Sequence, residues 1–405
     1  MNIAVIGGGA AGFFAAINCA ALHPGHSVSL YEKSNKILSK VRISGGGRCN
    51  VTHSCFDNGR LTEFYPRGKK EMRNAFSRFN TGDTVQWFES RGVKLKTEDD
   101  GRMFPITDNS ETIINCLLGE ASKYNVKIKM NHALRQLIKK DNGSFDLHFQ
   151  HEEKVNCDRV IITTGGSPNK SSYDWIAELG HTIIPPVPSL FTFNIPDSPL
   201  KGLEGISSPS STLKLEGSKL ESTGPLLITH WGISGPAVLR LSAFASRSLF
   251  DKNYSTTCYL NWIPELNEEQ IRREIFSLKE NNPNKKITQL PFHGLPSRLW
   301  QRICLISEID ANDKCGEIPK VKLNKLVRNC NNLVLQIKGK TTFKEEFVTC
   351  GGINLKEVNM QTMESNKVQG VYFAGEVLDI DGVTGGFNFQ AAWTTGFLAG
   401  INAAG

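Results

Sequence analysis

Three glycines near the start of the chain have the spacing that binds dinucleotides. Gly7, Gly9 and Gly12 form G-x-G-x-x-G, and Glu32 lies 20 residues after Gly12. The first glycine permits a tight turn, the second lets a pyrophosphate approach the backbone, and the third lets a helix pack closely on a strand. Glu32 is expected to bind a ribose hydroxyl. The other residues expected beside the cofactor here are Ala10, Ala11 and Lys33.

A second glycine-rich stretch, "ISGGGRCNVTHS", begins at Ile43. Its three consecutive glycines supply N–H donors without side-chain bulk, its arginines either offset phosphate charge or pair with an acid, and its asparagine can donate and accept. We interpret Cys49 as a packed thiol. The alternative is a dithiol relay with Cys55, but five residues separate the two cysteines, where dithiol flavoenzymes have four between them. The residues expected at the cofactor are Arg42, Ser44, Gly45, Gly46, Gly47, Arg48, Cys49 and Asn50.

The C-terminal stretch "VYFAGEVLDIDGVTGGFNFQAAW" decides between NAD and FAD, which share the first motif. It reads as a buried strand, Val371 to Ala374, then an acidic loop and a closing helix. In FAD enzymes built this way, an acid after the strand binds the ribityl chain, and the helix N-terminus faces the flavin, where its dipole stabilises negative charge. We therefore predict FAD. The residues expected at this end are Gly375, Glu376, Asp381, Gly386, Phe387 and Asn388.

The elements that must position these residues indicate an α/β fold. "IAVIGG" and "SVSLYE" read as strands on either side of an Ala-rich helix, and "VKIKM" as a further strand. Short strands around an Asp141 to Gly143 turn form a β-meander that returns to a buried strand ending in "TTGG". We predict a Rossmann-like, glutathione-reductase-like FAD-binding domain. Its remaining cofactor contacts are expected at Leu134, Thr164 and Gly165.

The pattern changes after a proline-rich stretch that ends at Pro199. We predict that residues 1–190 and 345–405 form one discontinuous FAD-binding domain, interrupted by an inserted α+β domain, 191–344. The insert is expected to cover the flavin as a substrate lid, with its two connections, Ser189–Asp197 and Lys344–Gly351, side by side. Pro236 is expected at the first position of a helix. The preceding His230 is either a proton donor at the flavin or a hydrogen-bonded structural histidine.

Composition limits the other functional classes. The chain has 405 residues and a net charge of +7, and the insert alone holds 21 basic against 14 acidic residues. Because these lysines are dispersed without interleaved aromatic residues, we expect no nucleic-acid binding. The ten cysteines contain no C-x-x-C pair, so no metal site is indicated. The longest apolar run near the start is too short for a membrane span, and we expect a cytoplasmic protein.

The motifs together resemble those of the BaiN/YhiN-type bacterial flavoproteins, which are described as NAD(P)/FAD-dependent oxidoreductases. The resemblance rests on the first glycine motif, "SGGGRCNVT", "THWGISGP", "TCGGI" and "FAGEVLDIDGVTGGFNFQAAWTTG", and it covers nearly the whole chain. "GRCN" is its most specific part. The C-terminal segment is shared with the folate-dependent flavoprotein tRNA methyltransferases and the GidA-like tRNA modification proteins. The resemblance implies that the glycine stretch lies along FAD, near the pyrophosphate and flavin.

We predict an FAD-dependent oxidoreductase that transfers hydride through flavin N5 between NAD(P)H and a small organic substrate, such as one with an activated C=C bond. Because the chain has no second G-x-G-x-x-G, NADH or NADPH is expected to bind transiently as the reductant. Two alternatives stay open: a flavoprotein of tRNA modification, and a non-catalytic flavin-binding protein. The sequence leaves the substrate, the catalytic acid and the oligomeric state undetermined.

Overall fold

The computed structural model describes residues 1–150, 152–341 and 348–405. The chain divides into two compact units, one containing Met1–Ser189 and Lys344–Gly405, the other Leu190–Phe343. The predicted insert, 191–344, is shifted by one residue at each end from the second unit. Its position over the flavin stays a prediction.

The strands of the described chain are β1 (Asn2–Ile6), β2 (Ser27–Tyr31), β3 (Thr52–His53), β4 (Leu95–Thr97), β5 (Arg102–Pro105), β6 (Lys127–Lys129), β7 (Leu134–Lys139), β8 (Phe145–Phe149), β9 (Lys154–Cys157), β10 (Arg159–Ile162), β11 (Ile183–Ser189), β12 (Thr192–Asn194), β13 (Ser207–Leu215), β14 (Glu221–Thr229), β15 (Gly232–Ser234), β16 (Ser255–Asn261), β17 (Leu333–Lys338), β18 (Lys340–Thr341), β19 (Val348–Ile353) and β20 (Val371–Phe373). The α-helices are α1 (Ala10–Leu22), α2 (Ser39–Gly47), α3 (Asn58–Thr62), α4 (Lys69–Phe76), α5 (Thr81–Glu89), α6 (Glu111–Lys123), α7 (Asp174–Ala177), α8 (Pro236–Asp251), α9 (Glu268–Asn281), α10 (Ser297–Ile306), α11 (Lys320–Asn331) and α12 (Phe387–Ala403). Short 3₁₀ segments cover Lys170–Tyr173, Ile287–Gln289, Cys315–Glu317, Leu355–Glu357 and Gly375–Val377.

The first unit is built on a five-stranded parallel sheet with the order β20-β10-β1-β2-β6. Its central strands carry continuous apolar runs because helices cover both faces of such a sheet. In the register, Ile6 at the end of β1 lies opposite Tyr31 of β2 and Ile162 of β10. The strand ends that precede the first glycine motif, Glu32, "TTGG" and the acidic loop therefore meet at one edge of the sheet.

Helices α1 and α12 pack closely through small residues. A Cβ added at Gly396 would lie 2.7 Å from the carbonyl oxygen of Ala11, and one at Gly400 would clash with that of Ala15. Both helices are buried on most sides because their sequences are rich in alanine and other apolar residues. The first and last segments of the chain thus belong to one unit.

Three smaller sheets complete the first unit. The predicted β-meander is present as β7-β8-β9, and Gly143 in its first turn has a φ of 84°. A second sheet has the order β3-β5-β4, and β11 pairs antiparallel with β19, with Ser189 opposite Val348. The predicted connection Lys344–Gly351 lies partly outside the described residues, which resume at 348.

The second unit has a seven-stranded sheet with the order β17-β16-β13-β14-β15-β12-β18, and helices pack against it. Pro236 occupies the first turn of α8, as predicted, and α9 covers the stretch "EEQIRREIFSLKEN". This mixture of sheet and helices confirms the α+β prediction for the insert. Within the described ranges, the model contains no helix with both the length and the apolar character needed to cross a membrane.

Candidate cofactor site

The carboxyl ends of four parallel strands bring the predicted site together. Gly7 follows β1, Glu32 follows β2, Thr163 follows β10 and Gly375 lies just after β20. Hydrogen bonds join these ends, because the Thr163 hydroxyl donates to the Gly7 carbonyl at 3.0 Å and the Gly8 N–H donates to the Glu32 carboxylate at 2.8 Å. Open α/β sheets bind their ligands at this edge.

The three glycines of the first motif have different surroundings. A Cβ at Gly7 would clash with the Thr163 carbonyl, and one at Gly12 would clash with the Gly7 carbonyl. At Gly9 the same test meets no atom of the described residues within 4 Å. Gly9 is also the N-cap of α1, which has neither a side-chain cap nor an acid in its first turn. The backbone N–H groups at this helix start therefore face a space that a pyrophosphate can enter.

Glu32 is held in a fixed orientation beside this space. Its second oxygen accepts hydrogen bonds from the N–H and the hydroxyl of Ser34, at 2.9 and 2.8 Å. Glu32 is half-buried, whereas Lys33 is exposed. Ala10 and Ala11 lie in the first turn of α1. The carboxylate is therefore fixed where the second strand ends, the position that binds ribose in dinucleotide sites.

The second glycine stretch forms a left-handed turn. Regular helical geometry in α2 stops before Ser44, which is extended, and Gly45, Gly46 and Gly47 have φ values of 59°, 69° and 86°. Only glycine adopts three such residues in succession without a large steric cost. Within the part of the chain that the structure describes, no atom lies within 4 Å of a Cβ placed at Gly46 or Gly47. The turn therefore presents its backbone to open space.

Of the two roles weighed for the arginines, the structure selects pairing with acids. Arg42 forms an ion pair with Glu111, and Arg48 contacts Glu98 at 2.6 Å and Asp108 at 3.5 Å. Each guanidinium thus has a carboxylate partner within the protein. Contact of these two partly exposed guanidinium groups with the cofactor stays a prediction.

Cys49 and Asn50 support the turn from within. Cys49 is completely buried, and burial raises the pKa of its thiol to about 12, opposed by a hydrogen bond with Ser44. Because a thiol with this pKa stays protonated at neutral pH, the dithiol relay with Cys55, a free cysteine that is 8% exposed, is not supported. In the amide orientation that satisfies both of its polar atoms, Asn50 donates to the Thr52 carbonyl and accepts from the Gly386 N–H, each at 3.0 Å. Asn50 thereby joins the turn to the start of α12.

The acidic loop after β20 is also tied to the N-terminal half. Glu376 pairs with Lys40 at 2.6 Å and accepts from the Thr349 N–H at 2.8 Å. Gly375, with a φ of 75°, donates its N–H to the Thr395 hydroxyl. The Asn388 side chain bonds both the N–H and the carbonyl of Gly382 at 2.9 Å. Asn388 therefore shapes the loop through its side chain.

The start of α12 resembles that of α1. Its N-cap is Gly386, with a φ of 91°, and it has neither a side-chain cap nor an acid in its first turn. A Cβ at Gly386 would lie 2.6 Å from the Thr52 carbonyl carbon and oxygen, so the loop packs tightly here. The Phe387 side chain is buried in the protein. The predicted contact of Phe387 with the cofactor is therefore corrected, because its ring packs inside the protein. The helix dipole at this terminus favours negative charge.

Asp381 has a different role from the one predicted. Its side chain has no exposed surface, which excludes a ribityl contact in this arrangement. The carboxylate binds the Arg67 guanidinium through two hydrogen bonds and accepts a third from the Ser189 hydroxyl at 2.7 Å. Burial raises the pKa of Asp381, and Arg67 and Ser189 oppose that rise. Asp381 therefore anchors the loop inside the protein.

The segment "FYPRG", residues 64–68, packs against the acidic loop after β20, and it was not predicted from the sequence. Phe64 stacks on Phe387 with centroids 4.2 Å apart, and the buried Tyr65 hydroxyl donates to the Phe387 carbonyl at 2.6 Å. Arg67 pairs with Asp381 in both backbone and side chain. The aromatic and arginine composition was the available signal, but their partners lie more than 300 residues away in the sequence.

The remaining predicted residues lie along the same unit. Leu134 begins β7 and is half-buried, and Thr164 is exposed after β10. Gly165 has a φ of 75° and open space where a Cβ would project. In the second unit, His230 is an exposed residue between β14 and β15. This exposure argues against the structural interpretation of His230, and a catalytic role stays a prediction.

The residues present fit FAD. Two helices with glycine N-caps and no side-chain caps provide N–H donors and positive dipole ends, one for a pyrophosphate and one for the electron-rich side of a flavin. The Glu32 carboxylate suits a ribose hydroxyl. Open space at Gly9, Gly46, Gly47 and Gly165 leaves room beside the backbone. These backbone donors and spaces are contributed by both ends of the chain.

Comparison with known families supports the same assignment. The model of the HI0933-like protein Rossmann domain matches residues 1–402. The chain belongs to this family. A 3-dehydro-bile acid delta(4,6)-reductase of Clostridium scindens is 29% identical over 100% of this chain and 99% of its own. A ribosomal RNA dihydrouridine synthase of Haemophilus influenzae is 30% identical, covering 98% and 97%.

A solved structure shows the same fold at low identity. The 3-ketosteroid delta1-dehydrogenase of Sterolibacterium denitrificans superposes with a TM-score of 0.52 at 11% identity, covering 99% of each chain. The predicted family and the Rossmann-like FAD-binding fold are confirmed. This HI0933-like chain is an FAD-dependent oxidoreductase, as predicted.

Proposed function

We propose that this chain reduces a carbon–carbon double bond conjugated to a carbonyl group, with NADH or NADPH reducing its FAD. The observation that carries the proposal is the chemistry shared by the two relatives' names. A 3-dehydro, delta(4,6) bile acid has double bonds conjugated to its 3-oxo group, and dihydrouridine differs from uridine by saturation of a ring double bond next to a carbonyl. Two unrelated molecules therefore present the same reacting group.

The chain's own residues would hold the cofactor at both ends. The N–H groups at the start of α1 and the open backbone at Gly9 suit the pyrophosphate, and Glu32 suits the adenosine ribose. The Gly45–Gly47 turn and the start of α12 suit the flavin half. When bound, FAD supplies hydride transfer. The positive end of the α12 dipole would stabilise negative charge at that terminus.

The favoured substrate class is a small enone. The dispersed lysines of the second unit argue against a nucleic-acid groove, since many are paired, for example Lys325 with Glu308 and Lys338 with Asp197. The second candidate substrate is a uridine in ribosomal RNA. It is favoured by the dihydrouridine synthase name and by the basic surplus of the insert, 21 basic against 14 acidic residues.

Stopped-flow absorbance under anaerobic conditions tests the proposal in two half-reactions. First, NADH or NADPH is added to the holoenzyme, and bleaching of the flavin band is expected. Next, the reduced enzyme is mixed with a 3-oxo-Δ4 steroid or with a ribosomal RNA transcript. Recovery of the oxidised flavin band, together with the saturated product by mass spectrometry, identifies the substrate class.

The matched controls are the saturated steroid and a transcript that already contains dihydrouridine, neither of which should reoxidise the flavin. Reoxidation by RNA and not by the enone would replace the first candidate with the second. A reduced flavin that reacts with neither compound, but is reoxidised by an acceptor without a C=C bond, would contradict the proposal. A flavin that no nicotinamide reduces would contradict the proposed reductant.

A further inference from the structure

Carbonyl groups of the left-handed glycine turn accept hydrogen bonds from N–H donors of the protein. The Gly45 carbonyl accepts from Arg48 Nε at 3.3 Å, the Gly47 carbonyl from the Ser110 N–H at 2.9 Å, and the Ser44 carbonyl from the Cys49 N–H at 3.0 Å. A carbonyl oxygen carries partial negative charge and would repel a phosphate or a flavin oxygen. Because these oxygens are hydrogen-bonded within the protein, the turn is better suited to an electron-rich ligand.

Arg48 joins this turn to the sheet β3-β5-β4. Its guanidinium lies 4.0 Å from the ring centroid of Phe104, which is completely buried in β5. The same ring closes the space beside the turn, because a Cβ at Gly45 would lie 2.8 Å from it. The guanidinium also contacts Glu98 and Asp108. One planar group therefore contacts the turn, the ring and two carboxylates.

We propose that Arg48 is a positioning residue, which fixes the left-handed turn against which FAD binds and contributes no charge to the cofactor. Glu98 and Asp108, which it shares with Arg102 and Lys96, offset the charge of its guanidinium within the protein. This inference rests on the FAD-binding part of the proposed function and is independent of the substrate.

Arginine and lysine separate this role from phosphate binding. A lysine keeps the charge and is itself a common phosphate ligand, but it lacks the Nε–H donor and the planar fork that stacks on a ring. Arg102 provides the matched control. It shares Glu98, binds Asp100 at 2.7 Å, and lies 5.4 Å from the Phe104 ring centroid. Its ion pairs go to these carboxylates and not to the glycine turn.

Fluorescence titration of apo-protein with FAD at low and high salt tests the proposal in R48K, R48Q and R102K, with the visible circular dichroism of the bound flavin as a second readout. We expect R48K and R48Q to weaken FAD binding equally, about five- to ten-fold, the order expected for losing one charge-assisted hydrogen bond of a partly exposed group. The salt dependence should match the wild type, and the flavin dichroism should change even at saturation. R102K should stay within about two-fold of the wild type.

Other outcomes overturn the proposal. If Arg48 bound phosphate, R48K would retain most of the affinity, whereas R48Q would lose it and reduce the salt dependence. An R48K protein with wild-type affinity and dichroism would also refute it. Should the Arg48 variants not fold, the nearly isosteric E98Q, which releases the guanidinium, is expected to weaken FAD binding about three-fold, and no change would refute the idea. A wild-type protein that binds no FAD would instead contradict the proposed function.

Discussion

Replacing Arg67 with methionine should destabilise the first unit by leaving the Asp381 carboxylate buried without its ion-pair partner. Methionine keeps much of the apolar stem of arginine. The Asp381 side chain is 0% exposed and that of Arg67 is 14% exposed. Removing one partner of a buried pair costs about 3–5 kcal/mol, and we take the lower value, about 3 kcal/mol, because the pair reaches the surface on the arginine side. For a unit of this size that lowers the unfolding midpoint by roughly 6 °C.

The double variant separates an ion pair from simple packing. D381N alone leaves Arg67, which can reach water, and should cost about 1.5 kcal/mol. The double variant R67M/D381N leaves no buried charge. Its loss of unfolding free energy should therefore be about 2 kcal/mol smaller than the sum of the losses in the two single variants.

The pH dependence gives an independent check. Burial raises the pKa of Asp381, and Arg67 opposes that rise, so R67M leaves the rise unopposed. A raised carboxyl pKa in the folded state means that stability falls as pH increases from the unfolded value towards the folded one. R67M should therefore be less destabilised at pH 5 than at pH 8, by up to about 1.4 kcal/mol per pH unit within that window.

The assay is thermal unfolding at both pH values, followed by far-UV circular dichroism and by release of flavin fluorescence, which reports on the first unit. An R67M midpoint equal to that of the wild type at pH 8 would refute the reasoning. So would strictly additive effects in the double variant, or a larger loss of stability at pH 5 than at pH 8.

Three further predictions follow from the same structure. G9V should fold but bind FAD at least about ten-fold more weakly, because its side chain fills open space, whereas G12V should impair folding because its Cβ would clash with a backbone carbonyl; a soluble G9V protein with full flavin occupancy would contradict this. C49S should retain flavin reduction by NADPH, measured by anaerobic stopped-flow, since burial keeps the thiol protonated; complete loss in a folded, FAD-bound variant would indicate a redox role. Burial would raise the pKa of Glu357, but hydrogen bonds led by that from Lys367 lower it to about 2. The ionised carboxylate therefore stabilises the fold above its unfolded pKa, and this stabilisation is lost as pH falls from about 4 to 2. E357Q should lose less stability than the wild type across that range, measured by circular dichroism, and an acid-unfolding profile equal to that of the wild type would contradict this.

The backbone of the site was readable from the sequence. The strand, glycine and helix order at Gly7–Gly12 appears as predicted, and the predicted closing helix is present as α12. A left-handed turn or a close backbone approach requires glycine for local steric reasons, so the glycine in the sequence indicates such a position directly. The β-meander and the parallel strands were predictable for the same reason, because alternation and apolar runs reflect local burial.

The partners of the charged and aromatic side chains could not be read in this way. Arg42 and Arg48 pair with Glu111 and Glu98, 69 and 50 residues away, and Arg67 meets Asp381 across 314 residues. Which charged side chains form ion pairs depends on how distant segments pack together. The local sequence around each residue therefore does not identify its partner.

The sequence by itself therefore determined the family, the Rossmann-like fold and the glycine positions at which the backbone opens to a cofactor. Only the tertiary structure decided which polar side chains point towards that space and which serve the protein, as Asp381 does. The physical reason is the cost of burying charge: a carboxylate without water must find a partner, and its partner is supplied by whichever segment packs over it.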